Sequence, residues 1–286
     1  MQGRLSILAL IFPAAIALAV SGVIAAGASR AVAADLGAGS QGEIPPKISR
    51  VITEAVNSPD RPADDKQLDA GRRPEQILAF FGIGPGMKVA DLWAGGGYTT
   101  ELLARTVGPS GKVYSQNGLF PPAFKKGEAA WKARLKEPGL SNVVELQKPF
   151  DHPDDILPVP PGSLDAVIID MNYHDMVGRG YDRARINAAV FKALKPGGVY
   201  GVIDNSAAPG SGARDANTLH RIDEAFEINE IKKAGFKLAA VSAALRNPKD
   251  DRTWFVMKHR GQQDRFVLKF VKPRGAGGIG QGLPHA

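Results

Sequence analysis

The chain contains no cysteine among its 286 residues. This absence excludes a thiol nucleophile, a cysteine-ligated zinc or iron–sulfur site, a disulfide-stapled fold and the lipid-bearing cysteine of a bacterial lipoprotein. Any catalysis must therefore come from other side chains.

The sequence also has no strong bias toward charge of one sign. Hydrophobic residues make up 44% and charged residues 23%, which is typical of a globular protein and excludes a wholly disordered or collagenous chain. The net charge of +7 is spread along the sequence. Basic residues are dense only between Lys258 and Arg274, where the apolar residues within 266–271 interrupt them. This pattern favours a strand with a solvated basic face over a nucleic-acid interface.

Charge is absent altogether from residues 5–28, which follow Arg4. The stretch leads into Val32, Ala33 and Ala34, which are small or permitted residues ahead of a possible cleavage before Asp35. We interpret residues 1–34 as a secretory signal peptide or as an uncleaved N-terminal membrane anchor. Either alternative predicts an exported, periplasmic location, with membrane contact only through an uncleaved segment.

Regular structure is not expected at either end of the remaining chain. Residues 35–47 are rich in Gly and Ser and end near Pro45 and Pro46, which predicts a flexible linker. Residues 274–286 are rich in Gly and predict a disordered tail. A single domain is predicted over residues 48–273.

Within that domain, short apolar runs alternate with amphipathic segments. The alternation predicts an α/β fold of the Rossmann-like, doubly wound kind: a mostly parallel seven-stranded sheet with helices on both faces and an antiparallel edge. Strands are predicted at Lys88–Leu92, Lys112–Gln116, Val143–Leu146, Leu164–Asp170, Val199–Asp204, Phe236–Ala244 and Thr253–Lys258. Helices are predicted at Pro74–Phe81, Tyr98–Val107, Glu128–Lys136, Asp182–Leu194 and Thr218–Ala234.

A glycine-rich turn follows the first predicted strand. Asp91 closes the strand, residues 95–97 are all glycine, and a helix starts at Tyr98. Adjacent glycines permit positive φ and leave room for a ligand beside the free amides of the following helix. The third glycine of the dinucleotide fingerprint would fall at Thr100, so a nicotinamide oxidoreductase is a weaker hypothesis.

The spacing D-x-x-x-G-x-G after a first strand resembles motif I of class I S-adenosylmethionine-dependent methyltransferases. The resemblance continues through LDAVIID and ALKPGG, and together with SPDRPADD and YHD it is similar to a group of exported methyltransferases of unassigned substrate. It implies methyl transfer from S-adenosyl-L-methionine to an unidentified, small-molecule acceptor. By position, it implies cofactor contacts from Asp91, Ala94, Gly95, Gly97, Asn117 and Asp170.

Two residues depart from the family pattern. The family usually has glycine where this chain has Trp93, and it usually has a carboxylate for the ribose hydroxyls where this chain has Asn117. An amide can accept and donate hydrogen bonds but lacks charge assistance, so the resemblance implies a weaker contact with the ribose.

A polar cluster follows the fourth predicted strand, and it supplies the catalytic candidates His174, Tyr173 and Asp170. His174 can act as general base for an acceptor that carries a proton, with Asp170 or Asp175 orienting its ring. Tyr173 can stack on the substrate or cap the methyl group. Two of these residues also have a purely structural alternative to these roles. His174 can hydrogen-bond to a backbone carbonyl, and Asp175 can cap the helix that follows.

Two further segments of the sequence are rich in polar residues. The loop after strand five offers Asp204, Asn205, His220, Arg221 and Asp223, either as a lid that reaches the acceptor or as an ordinary surface loop. The DHPDD segment at residues 151–155 has no metal-ligand spacing, so a solvated loop and no metal are predicted.

The leading hypothesis is thus a methyltransferase, an enzyme of the transferase class. The alternative is an exported, non-catalytic small-molecule-binding protein on the same fold. Export motivates the alternative because S-adenosylmethionine is made in the cytoplasm. Neither hypothesis predicts a nucleic-acid partner, and the sequence does not fix an oligomeric state.

Overall fold

The computed structural model describes residues 46–118 and 125–275, so the predicted signal or anchor lies outside the described residues, as does almost all of the linker and the tail. The helices are α1 (Pro46–Val56), α2 (Ala63–Arg72), α3 (Pro74–Phe81), α4 (Tyr98–Val107), α5 (Lys125–Arg134), α6 (Tyr173–Gly178), α7 (Arg183–Ala193) and α8 (Glu224–Lys233). The strands are β1 (Lys88–Leu92), β2 (Lys112–Asn117), β3 (Val143–Gln147), β4 (Leu164–Asp170), β5 (Leu194–Asn205), β6 (Lys237–Ser242) and β7 (Arg265–Val271).

One seven-stranded sheet has the order β3-β2-β1-β4-β5-β7-β6. The strands from β3 to β5 pair in parallel, whereas β7 lies between β5 and β6 and is antiparallel to both. This confirms the predicted fold class. Chain order reverses beside β1, where β2 lies on one side and β4 on the other, and ligands of open α/β sheets bind at such a point.

Apolar side chains cover both faces of the sheet, as expected of parallel strands that read as continuous apolar runs. On one face α7 and α8 pack against the sheet through Ile186, Val190, Ile228 and other buried residues. On the other face, Ile52 of α1, Phe81 of α3 and buried residues of α4 form a second core. Among the described residues, no helix has the length and apolar character needed to cross a membrane.

The structure corrects several predicted boundaries near the ends of the domain. α1 begins at Pro46, inside the predicted linker, because proline is compatible with the first turn of a helix. The predicted strand Thr253–Lys258 is wrong, since that segment contains a short 3₁₀ helix at Val256–His259. The last strand of the sheet is instead β7.

The basic residues of β7 do not form the predicted solvated face. Lys269 donates to the carbonyl of Phe80 near the end of α3, and Lys272 donates to the carbonyls of Phe191 and Leu194 near the end of α7. Ammonium groups at helix C-termini satisfy free carbonyls and oppose the negative end of the helix dipole. The positive charges of Lys269 in β7 and of Lys272 just after it thus fix helices to the sheet.

A buried ion pair holds the segment between β6 and β7 against the loop after β5. Arg221 is fully buried, and its guanidinium donates to both carboxylate oxygens of Asp250 at 2.8 and 3.2 Å. The same side chain donates to the carbonyls of Ser206 and Trp254 and stacks on the Trp254 ring. Every nitrogen of the buried guanidinium is therefore satisfied.

We expect Arg221→Met to lower the free energy of unfolding by about 3 kcal/mol, because it leaves the Asp250 carboxylate buried without its cation. Urea unfolding followed by circular dichroism measures the loss. The matched control is Arg214→Met, which removes an exposed arginine paired with Asp215 and should change stability by less than about 0.5 kcal/mol. Equal effects of the two variants would contradict this account of the segment.

Candidate functional site

A cavity of about 970 Å³ opens at the carboxyl ends of β1 and β4. Its floor is the turn after β1, one wall is α2, the opposite wall follows β4, and residues 255–263 cover it from the side of β7. This volume lies at the upper end of the range typical of small-molecule sites. The cavity therefore has room for a ligand together with a second small molecule.

The turn between β1 and α4 has an unusual backbone that two neighbouring side chains support. φ is positive at Trp93, Gly95 and Gly97, with values of 55°, 57° and 87°. The Gln116 side chain accepts from the amide of Trp93 at 2.9 Å, and the Asn117 side chain accepts from the amide of Gly95 at 2.9 Å. The end of β2 thus fixes the path of the turn.

Ala94, Gly95 and Gly96 line the cavity. A Cβ built at Gly95 or Gly96 would meet no atom within 4 Å, so both positions face open space. These residues leave open space over the turn, and they include Ala94 and Gly95, from which the resemblance implies cofactor contacts.

Gly97 does not face the cavity, contrary to the predicted ligand contact. A Cβ at this position would lie 2.0 Å from an atom of the Trp131 ring in α5, and Trp131 is fully buried. Gly97 also precedes α4 with a left-handed φ. Glycine is needed here because a helix packs directly onto the turn.

Asn117 also has a structural role in place of the predicted one. Its amide both accepts from and donates to the backbone of Gly95, at 2.9 and 3.3 Å, and the residue is buried. An aspartate could not donate to the Gly95 carbonyl and would place a charge beside it. Asn117→Asp is therefore not expected to strengthen ligand binding, although the family usually has a carboxylate at this position.

Trp93 has a left-handed backbone conformation that glycine would adopt without strain. A bulky residue at positive φ costs of order 1–3 kcal/mol. The ring packs against Phe150 with centroids 4.7 Å apart, and Arg179 lies over it at 5.4 Å from the centroid. The ring therefore closes the side of the turn toward the residues that follow β3.

Asp91 is 1% exposed, and its carboxylate accepts a hydrogen bond of 2.6 Å from the Thr100 hydroxyl. Burial raises the pKa of Asp91 to about 7, the Thr100 hydrogen bond opposes this, and the charge of Asp170 adds to it. Arg72 lowers the pKa by a smaller amount. A cation bound in the cavity would favour the ionised form of Asp91.

Asp170, a predicted cofactor contact and catalytic candidate, ends β4 and lines the same cavity. The Thr99 hydroxyl donates to its carboxylate at 3.0 Å, and the guanidinium of Arg72 lies 3.6 Å from it. Asn172 donates to the carbonyls of Asp170 and Trp93, and so joins the end of β4 to the turn. Carboxylates and a guanidinium thus meet at one end of the cavity.

His174 lies in the cavity wall and is 2% exposed. Its Nδ1 donates to the Asp204 carboxylate at 2.6 Å, and its backbone amide donates to the other Asp204 oxygen at 2.8 Å. Burial alone would lower the pKa of His174, but the charge and hydrogen bond of Asp204 outweigh it and raise the pKa. The predicted orienting residues were Asp170 and Asp175, whereas the structure gives this role to Asp204.

His220 comes from the loop after β5 and lies against His174. Its Nδ1 is 3.2 Å from Nε2 of His174 and 3.4 Å from a carboxylate oxygen of Asp175. Burial lowers the pKa of His220, Asp175 opposes this, and His174 lowers it further. Sequence reasoning placed His220 only as one of several residues of a long loop.

The other residues predicted from that loop have different roles in the structure. Asn205 lines the cavity, whereas Arg221 pairs with Asp250 and Asp223 caps α8 through the amide of Ala225. The loop therefore contributes to the site and also anchors the neighbouring structure.

Tyr173 is fully buried on the core side of α6 and does not line the cavity. Its hydroxyl lies 2.9 Å from the Asn187 side-chain nitrogen and 3.1 Å from a Glu230 oxygen. The predicted stacking on a substrate does not fit this position. Tyr173 instead joins α6 to α7 and α8.

Sequence reasoning missed two walls of the cavity, namely α2 and residues 255–263. These walls carry Leu68 and Met257, the exposed large apolar side chains of the described residues, at 41% and 46% exposure. Both line the cavity, so its rim is partly apolar. The sequence feature that could have indicated α2 is the segment SPDRPADD. In this segment, Pro62 precedes the helix and two acidic residues lie in its first turn.

This arrangement is the fold of class I S-adenosylmethionine-dependent methyltransferases. No family model matches the sequence. Structures similar to the chain include an S-adenosylmethionine-dependent methyltransferase from Aquifex aeolicus, with 20% identity, 74% of this chain and 98% of that chain covered, and a TM-score of 0.52. Geranyl diphosphate methyltransferase in complex with S-adenosylmethionine has 15% identity, coverage of 78% and 95%, and a TM-score of 0.52.

Another similar structure is the [4+2]-cyclase SpnF, with 18% identity, coverage of 73% and 83%, and a TM-score of 0.52. At these identities the comparisons establish the fold, and the chemistry must be argued from the residues of this chain.

We expect Gly97→Ala to lower the melting temperature by several degrees, because the new Cβ would overlap the Trp131 ring and would strain a left-handed residue. Gly96→Ala is the matched control, since its Cβ would meet nothing within 4 Å. Thermal unfolding of both variants measures the difference. A Gly97→Ala protein as stable as Gly96→Ala would contradict the packing of α5 on the turn.

Proposed function

We propose that the chain binds S-adenosylmethionine in the cavity and transfers its methyl group to a small-molecule acceptor. The observation that carries the proposal is the open space over Gly95 and Gly96, between Asp91 and Asp170 at the ends of β1 and β4. A ligand there lies where open α/β sheets bind small molecules.

The charges around the turn suit the methionine end of this cofactor. S-adenosylmethionine carries a sulfonium, an ammonium and a carboxylate group. Asp91 and Asp170 offer negative charge to the two cationic groups, and Arg72, which also lines the cavity, offers a donor to the carboxylate. The residues present therefore fit the methionine part of the cofactor.

The ribose part has fewer protein partners than the resemblance suggests. The side chains of Gln116 and Asn117 are already bonded to the backbone of the turn. We therefore infer that affinity for the cofactor depends chiefly on its methionine end.

When bound, the cofactor supplies an activated methyl group: the carbon–sulfur bond breaks with its electron pair left on sulfur, and a lone pair of the acceptor forms the new bond to carbon. The chain's task is to hold the acceptor in line with that bond. The wall formed by Asn172, His174 and His220 faces the cavity beyond the turn, and the apolar rim at Leu68 and Met257 suits an acceptor with an apolar portion.

Location outside the cytoplasm is part of this proposal and depends only on the sequence of residues 1–34. It requires that both the cofactor and the acceptor are present in that compartment.

Calorimetric titration of the purified protein with S-adenosylmethionine, in the presence of a chelator, tests the binding step. We expect submillimolar affinity, and we expect Gly96→Val to weaken it at least 10-fold because the branched side chain would fill the space above the turn. Glu54→Gln, at an exposed residue of α1 that does not line the cavity, is the control and should bind like the parent. Absence of binding in the parent would refute the proposed function.

The pH dependence of that affinity tests the contact with Asp91. Its pKa of about 7 means that lowering the pH from 8 to 6 protonates most of the carboxyl groups. Because a bound cation favours the ionised form, affinity should fall about 10-fold over this range. In Asp91→Asn the affinity should be lower at pH 8 and should lose most of this dependence. An unaltered pH profile in the variant would exclude the contact.

A further inference from the structure

Three potential metal ligands meet in the cavity wall beyond the turn. Nε2 of His174 and Nδ1 of His220 are 3.2 Å apart, and a carboxylate oxygen of Asp175 lies 3.7 Å from the first and 3.4 Å from the second. They are the one such group of three ligand residues found in the part of the chain that the structure describes. All three residues line the cavity.

These separations match a divalent ion in tetrahedral coordination. Ligand atoms about 2.0–2.1 Å from a tetrahedral zinc ion lie about 3.3–3.4 Å from one another. The three observed distances lie around this value, so one ion can contact all three atoms with small adjustments. Two imidazoles and one carboxylate form a ligand set that late first-row divalent metals prefer, whereas calcium and magnesium prefer oxygen.

Asp204 hydrogen-bonds to the side of the His174 ring away from the other ligands and favours the tautomer that binds a metal through Nε2. The ring's Nδ1–H donates to Asp204 at 2.6 Å, which leaves the lone pair of Nε2 directed toward Asp175 and His220. Metal-binding histidines commonly have such a carboxylate behind them, because it fixes the ring and raises its basicity. Asp204 is itself held by the backbone amides of His174 and Asn205.

The backbone of His220 adopts a left-handed conformation, and neighbouring residues hold it there. Its φ is 53°, a value uncommon for residues other than glycine. The Asn205 side chain donates to its carbonyl at 3.1 Å, and its ring packs edge-on against Phe255. Strain of this kind persists only where the surroundings fix it, and it is concentrated at functional sites.

We propose that His174, Asp175 and His220 bind one divalent transition-metal ion of the zinc class, with its fourth position open to the cavity. This departs from the absence of a metal predicted from the sequence, because His220 is far from the other two ligands along the chain. The open position would take an oxygen, nitrogen or sulfur atom of a small molecule beside the turn.

Cobalt(II) is the probe, since zinc is spectroscopically silent and cobalt replaces it with visible absorption bands that are strong in four-coordinate sites. The full chain is purified without a polyhistidine tag, stripped with a chelator, dialysed and titrated with cobalt chloride, and zinc chloride is then added in competition. We expect one strong site per chain, with cobalt displaced by zinc. No S-adenosylmethionine is present, so the result is independent of the proposed function.

His220→Gln and Asp175→Asn should each weaken cobalt binding by at least about 10-fold and reduce the four-coordinate bands, since each removes a ligand. Asp204→Asn should weaken it by about 10–100-fold while the bands persist, because it alters only the support of His174. These variants avoid His174, whose buried ring affects packing. Circular dichroism confirms that each variant is folded.

The matched control is His152→Gln, which removes a surface histidine outside the cavity wall and should leave cobalt binding unchanged. Loss of binding in the ligand variants alone supports the site. Equal affinity in parent and ligand variants, equal weakening in the His152→Gln control, or no saturable binding of cobalt or zinc below about 1 mM would each overturn the proposal.

Discussion

The shape of the cavity depends on hydrogen bonds between the end of β2 and the turn after β1. Gln116 and Asn117 use their side-chain amides to hold Trp93 and Gly95 in left-handed conformations that would otherwise be disfavoured. With the turn held open, Gly95 and Gly96 face the cavity, and α4 starts where its free amides are close to it. One of these hydrogen bonds occupies the side chain of Asn117, the residue that the family resemblance assigns to the ribose of a cofactor.

Much of the fold was predictable because it depends on local periodicity. Short apolar runs mark the strands from β1 to β5, and Pro74 and the glycines mark the ends of helices. The strand predicted at Thr253–Lys258 failed because an apolar stretch can line a cavity as well as a sheet. The basic residues in and near β7 suggested a strand face exposed to solvent. In the structure, these residues instead contact the ends of helices that pack on the sheet.

The candidate site was less predictable, since its residues meet only through the fold. Asp91, Ala94, Gly95 and Asp170, from which the resemblance implies cofactor contacts, all line the cavity, because each lies at or just after the carboxyl end of β1 or β4. Gly97 and Asn117 are conformational supports, and a sequence pattern cannot distinguish these from ligand contacts. The pairing of His174 with Asp204 and His220 joins three separate segments, so no local spacing could indicate it.

Similarity of fold sets limits on what can be concluded about chemistry. A cyclase and two methyltransferases resemble this chain to the same degree. In this chain the cavity wall beyond the turn carries two imidazoles and a carboxylate, and side chains of this kind, not the fold, decide the chemistry. Under the proposed function, different residues of the same cavity would hold the cofactor and the acceptor.

The three tryptophans of the chain occupy different parts of the cavity's surroundings. Trp93 lies in the turn, Trp131 packs beneath it from α5, and Trp254 stacks on Arg221 next to the segment that covers the opposite side. Their intrinsic fluorescence therefore samples the floor, its support and the cover separately. Variants that retain one tryptophan each would allow the order in which these parts loosen during unfolding to be observed without an added label.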